Sequence, residues 1–320
     1  MSGVRIRGDG VAARCCAHLL HPASYERTSR PRVPVIMLSD AAQDLIRDIF
    51  QRENLFQSLP RIAKRIVAWG ANAAPVELDH SAVIVSEETL LSSLGLEEKP
   101  DTAADWTICA APPLPAGATE HRFGTRMATP VAVKLKTSGD ACWVESIEDG
   151  WLFLISNWLI AVGGSPEELL ENSKLVREQI ESFDSATASF PASPRMVTPL
   201  GGDGWICCGS AAMTFDPLCG DGTAHAVREA ILASAVIRAI GRGEEPGPLL
   251  AHYEARLTAG FERHLAHCLQ FYSSGGTGPW WQAQAESVEQ GLKWCRARLH
   301  DHGRFRYRLN GLELEPIGQS

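Results

Sequence analysis

Residues 204–239, GWICCGSAAMTFDPLCGDGTAHAVREAILASAVIRA, constrain the fold more than any other stretch of the chain. Trp205 to Cys208 carry no charge, the pattern of a strand covered on both faces. Gly209 and Ser210 end that strand, and Asp216-Pro217 followed by Gly220-Asp221-Gly222 makes a second turn. The spacing then predicts a helix from Thr223 to about Ile240. On it Ala226, Ala230, Ala233 and Ile237 form a face for close packing on a sheet, and Arg228, Glu229 and Arg238 are expected in solvent. Glycines at 220 and 222 permit close approach, and the first N–H groups of a helix have no partner within it. Such a turn suits an electron-rich, partly anionic ligand edge.

The N-terminus, VRIRGDGVAARCCAHLL, repeats this logic. It reads as a strand at 4–7, a tight turn at Gly8 and Gly10, and a helix at 11–20. That is the βα turn that binds a pyrophosphate, with glycines for backbone approach and free N–H donors at the helix start. Ala13 holds the position of the third glycine, where a small side chain serves helix–strand packing. Glu26 follows in SYERTSR, at the distance where a second strand ends and a carboxylate can accept ribose hydroxyls.

Between these turns the chain changes character. Residues 33–66 predict an extended segment and a helix capped by Ser39 or Asp40, AVIVSEETLLSSL a strand and short helix, and DWTICAAP a buried strand. A charged linker spans 95–104. TPVAVKLKT, ACWVESIE and WLFLISNWLIAV predict antiparallel strands, and 165–183 a helix with Pro166 in its first turn. The tail predicts two amphipathic helices and a strand-like FRYRLNGLELEP. The fold class is therefore α/β. A Rossmann-like dinucleotide-binding domain is expected at 1–70, 81–126 and 196–245, with a mainly antiparallel substrate-binding insert at 127–195 and a helical C-terminal region at 246–320.

A net charge of -8 argues against nucleic-acid or anionic-membrane partners, which need clustered Lys and Arg. The nine cysteines, several in apolar runs, suggest free thiols in a reducing compartment. Charged residues among the first twenty positions break any signal-peptide core, and no eighteen-residue apolar run occurs, so a cytoplasmic location is expected.

With these residues in view, the chain resembles the p-hydroxybenzoate hydroxylase-type FAD-dependent monooxygenases, whose second flavin motif is a Gly-Asp pair followed by DPxxGxGxxxA. It is similar in particular to the branch of the flavin-dependent tryptophan halogenases and the flavoproteins of quinone-cofactor maturation. The resemblance covers nearly the whole chain. It implies FAD as cofactor, with Gly8, Gly10 and Ala13 at the pyrophosphate and Glu26 at the adenosine ribose. Gly209 and Ser210 would lie along the ribityl-pyrophosphate chain, and Asp216, Pro217, Gly220, Asp221, Gly222 and Thr223 against the isoalloxazine. It further implies oxygen transfer from a flavin C4a-hydroperoxide to an electron-rich aromatic, an indole or phenol, as a small molecule or on a partner peptide or protein. Electrons would come from NAD(P)H or a separate flavin reductase.

Three departures qualify it. Ser210 replaces the motif's Asp, which predicts looser FAD retention; the WxWxIP signature of the halogenases is absent; and the body is short around 95–104. Two alternatives follow, a partner-binding relative without turnover and, third, a halogenase. Asp221 and His225 are the candidates for proton handling, against a structural role in the first helical turn. Trp143, Glu145, Trp151 and Trp158 are either pocket lining or core. His264 and His267 share a helix face, but with no third ligand evident no metal site is expected.

Overall fold

The computed structural model describes residues 3–28, 30–95, 104–186, 188–302 and 305–317. β1 (Val4–Arg7) runs into the predicted turn, α1 (Val11–Leu19) follows, and β2 (Ser24–Glu26) returns parallel to β1 with Glu26 opposite Arg7. β3 (Ile36–Ser39) leads into α2 (Asp40–Phe50), whose cap is Ser39, accepting the Ala42 N–H. β4 (Arg61–Ala68) and β5 (Val76–Val85) pair antiparallel, and Ser86 caps α3 (Glu87–Leu94). Residues 96–103, most of the expected linker, lie outside the described residues. β6 (Trp106–Cys109) then lies parallel beside β1.

The middle of the chain is antiparallel as expected. After β7 (Thr119–Arg122) come β8 (Met127–Leu135), β9 (Ala141–Ile147), β10 (Gly150–Ile155) and β11 (Trp158–Gly163). The helix predicted at 165–183 is shorter than the sequence suggests. α4 (Pro166–Glu171) begins with a capping box at Ser165 and Glu168 but stops after six residues, and 180–183 is instead β12 (Ile180–Phe183), paired with β8. The cause is Glu145. Its buried carboxylate accepts the N–H groups of Lys174 (2.8 Å), Leu175 (3.1 Å) and Val176 (2.9 Å), which a continuing helix would pair with its own carbonyls.

The last third contains β13 (Phe190–Pro191), β14 (Arg195–Thr198), β15 (Gly201–Gly202), β16 (Trp205–Cys207), the single turn α5 (Gly209–Ala212), β17 (Met213–Thr214) and α6 (Gly222–Gly241). Then come α7 (Pro246–Ser274), α8 (Pro279–His302) and the hairpin of β18 (Tyr307–Asn310) and β19 (Glu313–Pro316).

Among the described residues two sheets organise the molecule. The smaller has the order β15-β16-β6-β1-β2, parallel across its last four strands, with Ile6, Ile108 and Ile206 fully buried at its centre. The larger has the path β12-β8-β11-β10-β9-β4-β5-β3, with β13 also on β8. β3, β4 and β5 belong to this larger sheet, although the sequence alone groups residues 1–70 with the first turn. β4 joins it by running parallel to β9, with Ile66 opposite Trp143. α1 and α6 pack on one another, and α7 and α8 along each other. Trp281 of α8 fixes that pair to the larger sheet by donating from its indole nitrogen to the Ile147 carbonyl (2.9 Å).

Candidate functional site

The two glycine turns open on one cleft of about 400 Å³. Gly10, Val11 and Ala12 border it from the first turn, and Gly209, Ser210, Gly220, Gly222 and Thr223 from the second. Much of the remaining wall is apolar, with Ile36 and Met37 of β3, Phe153 and Ile155 of β10, Ile160 of β11 and Phe190 of β13, and Arg30, Glu87 and Glu229 are its charged members. A second, more polar cavity of about 540 Å³ lies between residues 68–75, 145–148, 172–178 and 275–278 and shares no lining residue with this cleft.

Parallel pairing brings the turns together: β16 and β1 flank β6, so the chain leaves both strands at the same end of the sheet. Gly209 is required at the junction. Its φ is +53°, and a Cβ there would stand 2.7 Å from the Ala12 Cβ of α1. Ala13 is fully buried, as expected of the small residue in the third glycine position. Asp9 is buried, and its carboxylate is held by Arg14 (3.3 Å) and Arg32.

The second turn is anchored from within by side chains that nothing in its own sequence announces. The Asp216 carboxylate faces away from a ligand role. It forms a fully buried ion pair with Arg126 (Nε to Oδ2, 3.0 Å) and accepts from Tyr272 (2.8 Å) and the Leu218 N–H (3.0 Å). Arg126 also donates to Gln284 (2.8 Å) of α8 and lies over the Tyr272 ring, whose hydroxyl receives the Trp151 indole N–H (3.3 Å). Burial raises the Asp216 pKa, and the three donors hold it as the acceptor. The Asp216 N–H donates to His264 Nε2 (2.9 Å); burial, then His225 and His267, lowers the His264 pKa to about 3, so that nitrogen keeps its lone pair.

Glu229, expected in solvent, is buried and lines the cleft. It accepts the Gly209 N–H, its Oε2 has no protein partner, and burial pushes its pKa well above the carboxylate range. Close packing of α6 on α1 and α5 turns this position inward. The polarity of its side chain therefore misleads.

The proton-handling candidates find each other. His225 Nε2 is 3.6 Å from Asp221, which also pairs with Arg228 (3.0 Å). The His225 ring stacks on Phe215 at 4.2 Å, burial lowers its pKa, and neither Asp221 nor His225 is part of the cleft lining. Glu26 is exposed at the end of β2, its carbonyl accepting the Gly8 N–H (2.9 Å). The Ser210 hydroxyl donates to the Ala110 carbonyl (3.3 Å). Trp143 and Trp151 are buried in the core, so the cleft takes its aromatic lining from Phe153, Phe190 and Phe215. His264 is buried and His267 exposed, and the partners that gather at His264 are Cys219 and Cys268. Spacing alone pairs the wrong residue with it.

The residues present fit a dinucleotide flavin. Gly10 and Asp221 cap α1 and α6 without any side-chain hydrogen bond, so the first amides of both helices stay available to a ligand. A Cβ at Gly222 would meet nothing within 4 Å and one at Gly220 only the Met37 Cε at 3.9 Å, which leaves an open cradle before α6. Arg30, half-buried beside Gly10, lines the cleft together with its ion-pair partner Glu87, so the two add polar groups but no net charge near the first turn.

By sequence the chain matches no protein-family model and no curated protein. Its fold is similar to solved structures. The peptidyl tryptophan dihydroxylase QhpG, essential for tryptophylquinone cofactor biogenesis, is 20% identical over 88% of this chain and 78% of its own, with a TM-score of 0.71. The flavin-dependent halogenase CmlS is 18% identical over 94% and 71%, with a TM-score of 0.71. Aklavinone-11 hydroxylase, in a ternary complex with FAD and aklavinone, is 12% identical over 86% and 69%, with a TM-score of 0.61. The chain has the fold of these hydroxylases and this halogenase.

Proposed function

We propose that this protein is an FAD-dependent monooxygenase that hydroxylates an electron-rich aromatic, an indole or a phenol, free or carried on a peptide or partner protein. One observation carries the reading: two helices without side-chain caps, each preceded by a glycine turn, open on a single cleft whose other wall is mainly apolar and includes aromatic rings. The smaller sheet with α1 and α6 forms the cofactor layer and the larger sheet the substrate side. The amides after Gly10, with Ala13 packing behind them, would hold the pyrophosphate, and Glu26 the ribose. Gly209 and Ser210 would border the ribityl chain. The backbone of Asp216 and Pro217, with that of Gly220 to Thr223, would border the ring.

Bound and reduced, FAD supplies the activation of O2 and the delivery of one oxygen atom. The chain supplies position, charge and dryness. The N-terminus of α6 favours negative charge at the cleft. Arg126, Tyr272 and His264 fix the Asp216 turn, while Phe153, Ile160 and Phe190 exclude water and offer flat apolar contact to an aromatic ring. NAD(P)H, directly or through a separate flavin reductase, is the proposed electron source. The nine free cysteines support a cytoplasmic location.

Purified protein tests this. A yellow preparation absorbing near about 450 nm, as flavins do, bleached by NAD(P)H with or without a reductase and restored by air, supports the reading. Protein that stays colourless with added FAD overturns it. Halide-dependent product would assign a halogenase instead.

A further inference from the structure

A second group of reactive side chains gathers beside the DPLCGDG turn. Cys219 of the 3-10 turn Pro217–Cys219 meets His264 and Cys268 of α7, and one potential ligand atom from each lies within 4.8 Å of the others. His264 and Cys268 are four residues apart and so share one face of the helix. Cys219 Sγ is 3.7 Å from Cys268 Sγ, which is 3.3 Å from His264 Nε2. In a tetrahedral site with metal–sulfur bonds of about 2.3 Å and metal–nitrogen bonds of about 2.0–2.1 Å, the S···S edge is about 3.8 Å and the S···N edge about 3.6 Å. These two separations come within a few tenths of an ångström of the ideal edges, and the third, from Cys219 to His264, lies within 4.8 Å, so that binding would draw Cys219 inward.

The other thiol contacts in the molecule differ. Cys16 and Cys208 lie 3.9 Å apart, and Cys109 pairs with Cys207, yet all four are buried and neither pair belongs to a ligand group of three among the described residues. Among the described residues the Cys219 group is the one that combines an imidazole with a half-exposed cysteine, and its three protein ligands would leave a fourth position for water.

We propose that Cys219, His264 and Cys268 form a site for a thiophilic d10 cation, Zn2+ or Cu+, held by two sulfurs and one imidazole nitrogen. Thiolate and imidazole are the ligands such ions prefer. Binding of Zn2+ converts two thiols to thiolates and releases two protons, leaving an electroneutral complex suited to burial. The cation takes the His264 Nε2 lone pair that otherwise accepts the Asp216 N–H, so loading also acts on the turn. The site stands independently of the flavin reading.

The test uses the full chain, reduced and stripped with a chelator, then titrated with Co2+ as the spectroscopic stand-in for Zn2+. The expected result is one equivalent bound with a thiolate-to-cobalt charge-transfer band in the near ultraviolet, displaced by Zn2+. Cys219→Ser and Cys268→Ser each weaken binding by more than the about tenfold that loss of an outer-shell partner alone costs, whereas Cys295→Ser, outside the cluster, leaves it unchanged. Cys219 is half-exposed in a turn, so its variant reports even if Cys268→Ser misfolds. A parallel titration with Cu+ against a competing chelator, on the same variants, decides between the ions. The proposal fails if neither ion gives stoichiometric binding, if binding ignores both substitutions, or if mass measurement shows a Cys219–Cys268 disulfide and no metal uptake.

Discussion

At the scale of single residues, the molecule depends on polar groups that are safe only in company. Arg126 and Asp216 are both fully buried, so removing one strands the other. Arg126→Leu is expected to cost about 3–5 kcal/mol, read as a lower denaturant midpoint, with loss of FAD binding because the turn loses its anchor. An unchanged midpoint would mean that the pair does not hold the turn. Glu229 offers a finer contrast. Gln keeps an acceptor for the Gly209 N–H without a charge to bury, so Glu229→Gln is expected to be nearly neutral; Glu229→Leu orphans that N–H and costs about 1–3 kcal/mol. Equal losses in both variants would argue that the carboxylate itself matters. The glycines of both turns and Ala13 were legible in the sequence because backbone conformation and close packing restrict residue type locally. Glu229 and Arg126 were not, since a charged residue reads as solvated until the opposing surface is known.

At the scale of elements, α7 is the brace. Its Tyr253 donates to the Cys207 carbonyl at the end of β16 (2.7 Å), and its His264 and Tyr272 hold the second turn. Its early turns carry His252, buried against Phe305 and Tyr307, with Nδ1 lacking a partner and a pKa lowered to about 4 by burial and by Arg256. A free histidine titrates near about 6.5. As pH falls from about 6.5 towards 4, the unfolded chain therefore takes up a proton that the native state refuses. His252 by itself should lower stability over that window by at most about 1.4 kcal/mol per pH unit, and His252→Phe should flatten that limb of a midpoint-against-pH curve. A variant with the unaltered slope would assign the effect to another group. The sequence shows α7 as an amphipathic helix but not what it braces. The failed expectation at 165–183 has the same origin, because local helical preference yields to a carboxylate, Glu145, supplied from a distant strand.

At the scale of the whole molecule, the C-terminal region completes the core rather than decorating it. Residues 246–320 contribute Tyr253, Phe261, Leu265, Tyr272 and Trp281, all essentially fully buried, and the partners of Asp216 and Arg126. A chain ending at residue 245 is expected to lose cooperative unfolding and FAD binding together, as seen by near-ultraviolet circular dichroism and flavin fluorescence. A truncated chain that keeps both would show that the two sheets fold unaided. What the sequence by itself determined were the features set within a few residues: the strand–glycine–helix turns at 4–13 and 205–223, the antiparallel run from 127 and the helical tail. Periodicity and turn chemistry are local and leave their mark in adjacent positions. Only the tertiary structure decided that β3 to β5 join the larger sheet, that Asp216 turns inward to an arginine 90 positions away, and that Cys219 reaches His264 and Cys268. Those outcomes rest on contacts between distant segments, whose energy exists only once the layers have met.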